Sequence, residues 1–405
     1  MLKNSLVYLI LFNLIQFWSV EIDCFQPSQR YLHTATFIDN KLYILGGRDK
    51  LDTSIETIGK DFFYRDFSTS SVNFNSQELS WLDLSNVNIV PPHKAAAAVK
   101  GGVNNDILFL YGGNSTDNDM ALVYTFDTKS NSWSIPNITN MSGEEEFSRK
   151  AFLTGIIDNG SMYLWGGVEE ISKYSVNDML ILDTINLSWR KGSLVNTPSP
   201  RRNYGATLLP NHQIIYMGGS NYTNITLNEV YLYDTINDSW DTKTTSGIIP
   251  SSREGFSVNL GLDGQRVIIF GGIGVNSTDA LYVLNLSDFK WYIPKVSGTI
   301  PESRNNHKAN VIGNYLVITF GQSTKTIESD VLFLDISNND EYIWTENLSG
   351  SPSKSKVICV IIGSTIGGVL LIIGMFLLYK WNKNRRLRRN AVHPPDVEQE
   401  IKHKI

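Results

Sequence analysis

The sequence predicts an all-β fold, a six-bladed β-propeller, followed by one C-terminal transmembrane α-helix. Three observations carry this reading. A short apolar strand running into two glycines recurs along the chain at a period near ~50 residues, which signals a propeller or solenoid rather than separate domains. A tryptophan follows the third strand of each unit at a nearly fixed distance. Near the C-terminus, 23 residues without a charge precede a basic cluster.

The recurring strand reads LYILGG (Leu42–Gly47), ILFLYGG (Ile107–Gly113), MYLWGG (Met162–Gly167), IIYMGG (Ile214–Gly219) and VIIFGG (Val267–Gly272). Its glycines are Gly46 and Gly47, Gly112 and Gly113, Gly166 and Gly167, Gly218 and Gly219, and Gly271 and Gly272. A degraded sixth copy, LVITFGQ (Leu316–Gln322), reads as keeping its first glycine, Gly321, with Gln322 in place of the second. Within one unit, NYGATLL predicts a first strand, IIYM a second, EVYLYD (Glu229–Asp234) a third, and Ser239-Trp240 opens a fourth. Four short strands separated by turn residues make one propeller blade.

Trp133, Trp189, Trp240 and Trp291 each stand six residues after Asp127, Asp183, Asp234 and Asn285, and Trp81 stands six after Asn75. Trp344 follows Asp335 by nine. A fixed distance means that each indole must land on one particular neighbour, and the doublet glycines, with no side chain in the way, are the expected one.

At 405 residues with 42% hydrophobic content the chain can bury a large core, and the repetition makes residues 30–344 one domain. From Cys24 to Lys356 there are 26 Lys and Arg against 35 Asp and Glu, a net charge of −9. An acidic domain of this kind excludes nucleic acid, which requires a basic surface. Cys24 and Cys359 both lie outside the repeats, which leaves no disulfide framework and no CxxC zinc or redox site in the body.

Residues 1–20, with Lys3 ahead of the apolar run Leu6–Leu14, read as a secretory signal peptide. Residues 345–356 form a juxtamembrane stalk, and 357–379 the transmembrane helix. Twenty-three residues give ~35 Å of helix against a hydrocarbon core of ~30 Å. Lys380, Lys383, Arg385, Arg386, Arg388 and Arg389 then open a basic tail, 380–405, which the positive-inside rule places in the cytosol. The expected topology is single-pass type I in the secretory pathway or plasma membrane, with the propeller outside. N-glycosylation sequons at Asn114, Asn137, Asn140, Asn159, Asn186, Asn221, Asn224, Asn237, Asn276, Asn285 and Asn347 all fall on the outer side of this topology. Gly363 and Gly367 form a GxxxG that offers a face for helix dimerisation.

Arg30, Arg149, Arg202, Arg253 and Arg304 precede the doublets by 16–18 residues, with His93 in the equivalent slot of the second unit. His33 and His307 follow their arginines by three. Together with the glycine doublets and tryptophans, these residues resemble the kelch repeat over about Arg30–Trp344. The resemblance implies a six-bladed kelch propeller whose first strands line the central axis, in an architecture similar to kelch-repeat single-pass membrane proteins of fungi. The repeats begin and end in phase, so the ring is expected to close by packing blade six on blade one without a swapped strand.

The propeller is also similar to that of galactose oxidase, whose copper is held by two Tyr and two His with one Tyr crosslinked to a Cys. No thiol of this chain lies inside the domain, so that cofactor cannot be assembled on the same plan. His33, His93 and His307 fall in repeat slots that favour a structural role, and His212 sits in a loop. There is no GxSxG, HExxH or P-loop. The chain is therefore expected to be no enzyme, to hold no metal or cofactor, and to bind a protein or glycan ligand through the unequal loops after each doublet. The alternative is a divergent, inactive galactose oxidase-like carbohydrate-active protein.

Overall fold

The computed structural model describes residues 25–49, 58–68, 81–140, 147–345, 374 and 376–384. Two units are separate: Phe25–Ser349, and the terminal segments Met1–Cys24 with Gly350–Ile405.

The first unit is a ring of six antiparallel blades. Blade one is Thr34–Ile38, Lys41–Leu45, Phe62–Asp66 and Trp81–Asp83; blade two is Ala97–Gly101, Ile107–Tyr111, Val123–Asp127 and Ser132–Ser134. Blade three is Gly155–Asp158, Ser161–Trp165, Met179–Asp183 and Ser188–Lys191; blade four is Gly205–Leu208, Gln213–Met217, Glu229–Asp234 and Ser239–Thr244. Blade five is Ser257–Leu260, Arg266–Phe270, Leu281–Asn285 and Lys290–Tyr292; blade six is Lys308–Ile312, Tyr315–Thr319, Val331–Asp335 and Tyr342–Trp344. Every blade is built from consecutive strands, so the ring closes without strand exchange. Short pieces of the linkers, Thr139–Asn140, Ser246–Gly247 and Val296–Gly298, lie parallel to the outer strands of blades three, five and six.

The second strands are apolar at almost every position because both their faces are covered by neighbouring blades, as Val267–Phe270 shows with every residue buried. The hairpins at the start of each blade follow turn chemistry. Asp39 and Asn40 both take positive φ, as do Asn159 and Gly160, which suits two-residue loops between twisted strands. The six-residue Asp-to-Trp distance also has a cause. Asp127, Asp183 and Asp234 each accept two backbone N–H groups from the turn that follows, which fixes its length.

The indoles do not pack into the glycine doublets. Each leans on the preceding blade instead: Trp133 on Phe62 at 5.1 Å, Trp189 on Tyr111 at 5.8 Å, Trp240 on Trp165 at 5.2 Å, Trp344 on Phe270 at 5.3 Å and Trp81 on Phe320 at 5.7 Å. Trp291 donates its indole N–H to the carbonyl of Leu227 in blade four. The outer strand of one blade lies beside its neighbour's second and third strands, so a large ring there fills the wedge between two twisted sheets. The glycines face elsewhere, the first of each doublet toward the start of the next blade and the second toward the start of its own.

Of the second unit, the described residues contain one short helical stretch, Phe376–Asn384, with Gly374 also helical. No helix of the described residues is long and apolar enough to cross a membrane. The signal peptide, most of the expected span 357–379 including Gly363 and Gly367, nearly all of the stalk, the tail beyond Asn384, and Asn347 lie outside the described residues.

Candidate functional site

The site is best built from the tripeptide that opens each blade. Its first position is occupied by Arg30, His93, Lys150, Arg201, Arg253 and Arg304. The carbonyl of each accepts the N–H of the second doublet glycine in the blade before: Gly47 to His93, Gly113 to Lys150, Gly167 to Arg201, Gly219 to Arg253, Gly272 to Arg304, and Gly321 to Arg30. This register makes two corrections to the sequence reading. The slot in blades three and four belongs to Lys150 and Arg201, not to Arg149 and Arg202. Gly321 is the second glycine of its doublet, and the missing first one is Phe320, which adopts φ 51° in its place.

Glycine is needed at these doublets because the backbone turns left-handed where the next blade's chain presses close. A Cβ at Gly112 would stand 2.2 Å from the Lys150 carbonyl oxygen, and one at Gly271 2.0 Å from that of Arg304. The slot cations in turn tie down the first glycines. Arg30, Arg201 and Arg253 donate to the carbonyls of Gly46, Gly218 and Gly271, and Arg304 to that of Phe320. Four of the slot cations also meet an acid of their own blade: Arg30 with Asp61 at 2.9 Å, Lys150 with Asp178 at 2.5 Å, Arg253 with Asp279 at 3.1 Å and Arg304 with Asp330 at 2.8 Å. Arg201 instead stacks over Tyr231 at 4.7 Å. A buried cation needs such a partner, because desolvation alone would expel it.

The third position of each tripeptide lies on the propeller axis. Leu32, Ala95, Phe152, Asn203, Gly255 and Asn306 all have positive φ, between 52° and 68°. Each donates its N–H to the carbonyl of the one before, from Leu32 to Asn306 through Ala95, Phe152, Asn203 and Gly255 and back, at 2.7–2.9 Å. Six hydrogen bonds thus close a circle around the axis. The circle lines a depression of about 430 Å³, mouth included.

The doublets deliver their loops to this same face. Arg149, displaced from the slot, makes a bidentate pair with Glu170 in the blade-three loop at 2.6 and 2.8 Å, and Ser148 donates to Glu169. In blade four, Ser220 and Asn203 donate to Glu254 at 2.6 and 2.8 Å. Such pairs hold the loop bases while their tips stay open. Ile171 is 84% exposed, Tyr174 64% and Tyr222 81%, the last at φ 65°. Large apolar tips on fixed bases are what a binding surface presents.

The histidines sort clearly. His33, His93 and His307 are buried. Burial lowers the basicity of all three, to about 4 for His93 and about 3 for His307, the latter with help from Arg304 and Lys308. Their contacts are packing and capping: His33 to Thr319, His307 to Ser257, and His93 to the Pro91 carbonyl and against Gly46. His212 lies on the opposite face, where its ring meets buried Asp158 at 3.1 Å and Thr235 donates to the same carboxylate. That cluster joins blades three and four and was not visible in the sequence. No group of three His, Cys, Asp or Glu side chains suited to a metal ion occurs among the described residues.

Seven sequon asparagines, Asn137, Asn140, Asn159, Asn186, Asn224, Asn237 and Asn276, are exposed, and Asn114, Asn221 and Asn285 are half-buried. They lie on blades two to five and the linker between blades two and three. Blades one and six carry none.

Comparison with known proteins agrees with this geometry. The profile of the KLHDC2/KLHL20/DRC7 Kelch-repeats domain matches residues 59–272 and 228–383. The chain is 25% identical over 327 residues to Kelch domain-containing protein 3 of Rattus norvegicus, covering 76% of this chain and 80% of the rat protein. It is 25% identical over 285 residues to host cell factor 2 of Homo sapiens, covering 62% of this chain and 35% of that protein. It is also 22% identical over 288 residues to acyl-CoA-binding domain-containing protein 5 of Arabidopsis thaliana, covering 69% and 44% respectively.

Proposed function

Because the chain belongs to the KLHDC2/KLHL20/DRC7 kelch-repeat family, we propose that its propeller is a non-catalytic protein-interaction module that binds through the face carrying the post-doublet loops. One observation carries this reading. A six-fold scaffold of tripeptides that share one backbone geometry holds loops that differ from blade to blade, with bases fixed by charge-assisted bonds and with Ile171, Tyr174 and Tyr222 at open tips. A rigid frame with variable, apolar-tipped loops lowers the ordering cost of binding, and aromatic tips supply most of the contact energy in such interfaces.

We also infer a membrane-anchored placement, single-pass type I, with the propeller extracellular or lumenal. The uncharged stretch 357–379 followed by six basic residues supports it, as do seven exposed sequons on the propeller surface. Treatment of the expressed chain with a deglycosidase should increase its electrophoretic mobility; an unchanged band would overturn this placement.

For the interaction itself, the full chain is crosslinked in its own membrane beside a triple variant, I171S/Y174S/Y222S. A defined protein partner lost in the variant supports the proposal. The same chain presented to a glycan array tests the competing ligand class. Binding of glycans that survives the triple substitution, with no crosslinked protein, would overturn it.

A further inference from the structure

We propose that Arg65, in the seam where blade six meets blade one, forms a binding site for a carboxylate group. The argument starts from the repeat. The position of Arg65 in the third strand of blade one is filled in the other blades by Phe126, Leu182, Tyr233, Leu284 and Leu334, each paired across the sheet with its blade's tryptophan. Arg65 pairs in the same way with Trp81. Five apolar residues and one arginine share a single structural position, and the arginine stands at the closure of the ring.

Arg65 is only 6% exposed, and its Nε is shut off from water without an acceptor. The guanidinium has no hydrogen-bond or ion-pair partner among the described residues. Its neighbours are rings: Trp81 at 5.6 Å, Phe333 of blade six at 5.8 Å and Phe67 at 5.9 Å. Burial without an acid lowers its basicity to about 10. Aromatic faces attract the cation but leave its N–H groups without acceptors. Of the five buried slot cations, Arg30, Lys150, Arg253 and Arg304 have an acid, and Arg201 has the Ser199 and Gly218 oxygens as acceptors, so Arg65, with neither, departs from the rule of the fold.

The seam reaches solvent at the indole of Trp81. Trp81 is half-buried, whereas Trp133, Trp189, Trp240, Trp291 and Trp344 are all 9% exposed or less. Flat walls around a guanidinium edge suit a flat anion, and a carboxylate accepts two parallel N–H bonds from such an edge. The carboxylate comes either from a free small acid or from an acidic side chain of a peptide.

The test uses the purified full-length chain and titration calorimetry at constant ionic strength. One arm adds benzoate. The other adds a peptide with blocked ends and a single glutamate. Chloride and sulfate serve as reference anions. Heat of binding from either arm supports the site and identifies the source of the carboxylate. R65L, which installs the residue found in blades three, five and six, should abolish the signal while melting cooperatively. R65K, which keeps the charge but not the planar edge, should weaken it, and this second variant stands if R65L fails to fold. No binding in either arm, binding unchanged in R65L or in R65K, or sulfate binding as well as the carboxylates would overturn the proposal.

Discussion

Gly321 donates its N–H to the carbonyl of Arg30 at 2.8 Å, and with that bond the last repeat is joined to the first. The same bond links every other pair of neighbouring blades. Ring closure is therefore not a special device here. It is the sixth copy of an ordinary contact, which is why no strand has to be exchanged.

The doublet glycines should be intolerant of even one methyl group. In Gly112→Ala the added Cβ would meet the Lys150 carbonyl at 2.2 Å and the backbone is left-handed, at φ 66°. Gly313→Ala serves as the comparison, since it shares positive φ, at 56°, but has nothing within 4 Å. Urea unfolding should show a loss of about 1–2 kcal/mol for the Gly313 variant, the cost of the left-handed backbone alone. The Gly112 variant should lose clearly more. Equal losses would show that the approach of the next blade can relax.

Two adjacent arginines give a sharp test of register. Arg201 is buried, bonds Ser199 and the Gly218 carbonyl, and stacks on Tyr231. Arg202 is half-buried. Arg201→Met should cost roughly 2–3 kcal/mol, the value of hydrogen bonds from a charged group to otherwise unsatisfied acceptors. Arg202→Met should stay within about 0.5 kcal/mol of the parent. The reverse order in a denaturant titration would reinstate Arg202 as the slot residue.

Trp240→Ala should cost roughly 3–5 kcal/mol, as truncation of large buried aromatics does. The physical account differs from a contact with glycine. The indole touches Trp165, Tyr216 and Tyr233 and donates to the Ser193 carbonyl. Part of that loss comes from the contact with Trp165 of blade three, so a double variant with Trp165→Ala should cost less than the sum of the singles. Additive losses would separate the two blades energetically.

Stability should fall in mild acid. His93 and His307 are held neutral by burial, titrating at about 4 and about 3 in the folded chain, whereas an unfolded histidine titrates near ~6.5. Below that value the unfolded chain takes up protons that the folded chain refuses. The stabilisation is therefore complete above about pH 6.5 and is lost as the pH falls toward the folded values. His307→Gln, which cannot titrate, should flatten this part of the profile of unfolding midpoint against pH. An unaltered slope would assign the loss to other groups.

The repeat was legible in the sequence because its strands are apolar on both faces and end in glycine. The strand order, the blade count and the closure without exchange all followed from that period. What the sequence hid is contact between units. Constant spacing between Asp and Trp is satisfied by any partner within reach of the outer strand, and the true partner belongs to the preceding blade. The slot in blade three was misplaced because Lys150 follows an arginine, and the residues that fix the register are backbone groups with no sequence signature. The axial ring shows the same limit. Gly255, Asn203 and Asn306 are residue types that accept positive φ, but Leu32, Ala95 and Phe152 are not. Arg65 carries no sequence signature, and only the pairing register of the other five blades shows what normally stands in its place.

The hydrogen-bonded circle at the axis has a consequence for how this chain can come into being. In an open stack of repeats, each added unit can dock on the last and remain, and a truncated stack is still a folded object. A circle cannot be truncated. Any five blades leave one donor and one acceptor facing each other across a gap, together with one uncovered sheet face on each side of it. Synthesis of the protein therefore yields no settled native state until Asn306, the last member of the circle, has been made and Leu32 can reach it. An inserted or deleted residue within any opening tripeptide would be felt by both neighbours at once, whereas the loops beyond the doublets can change length without disturbing it. Variation is thereby channelled to one face of the molecule.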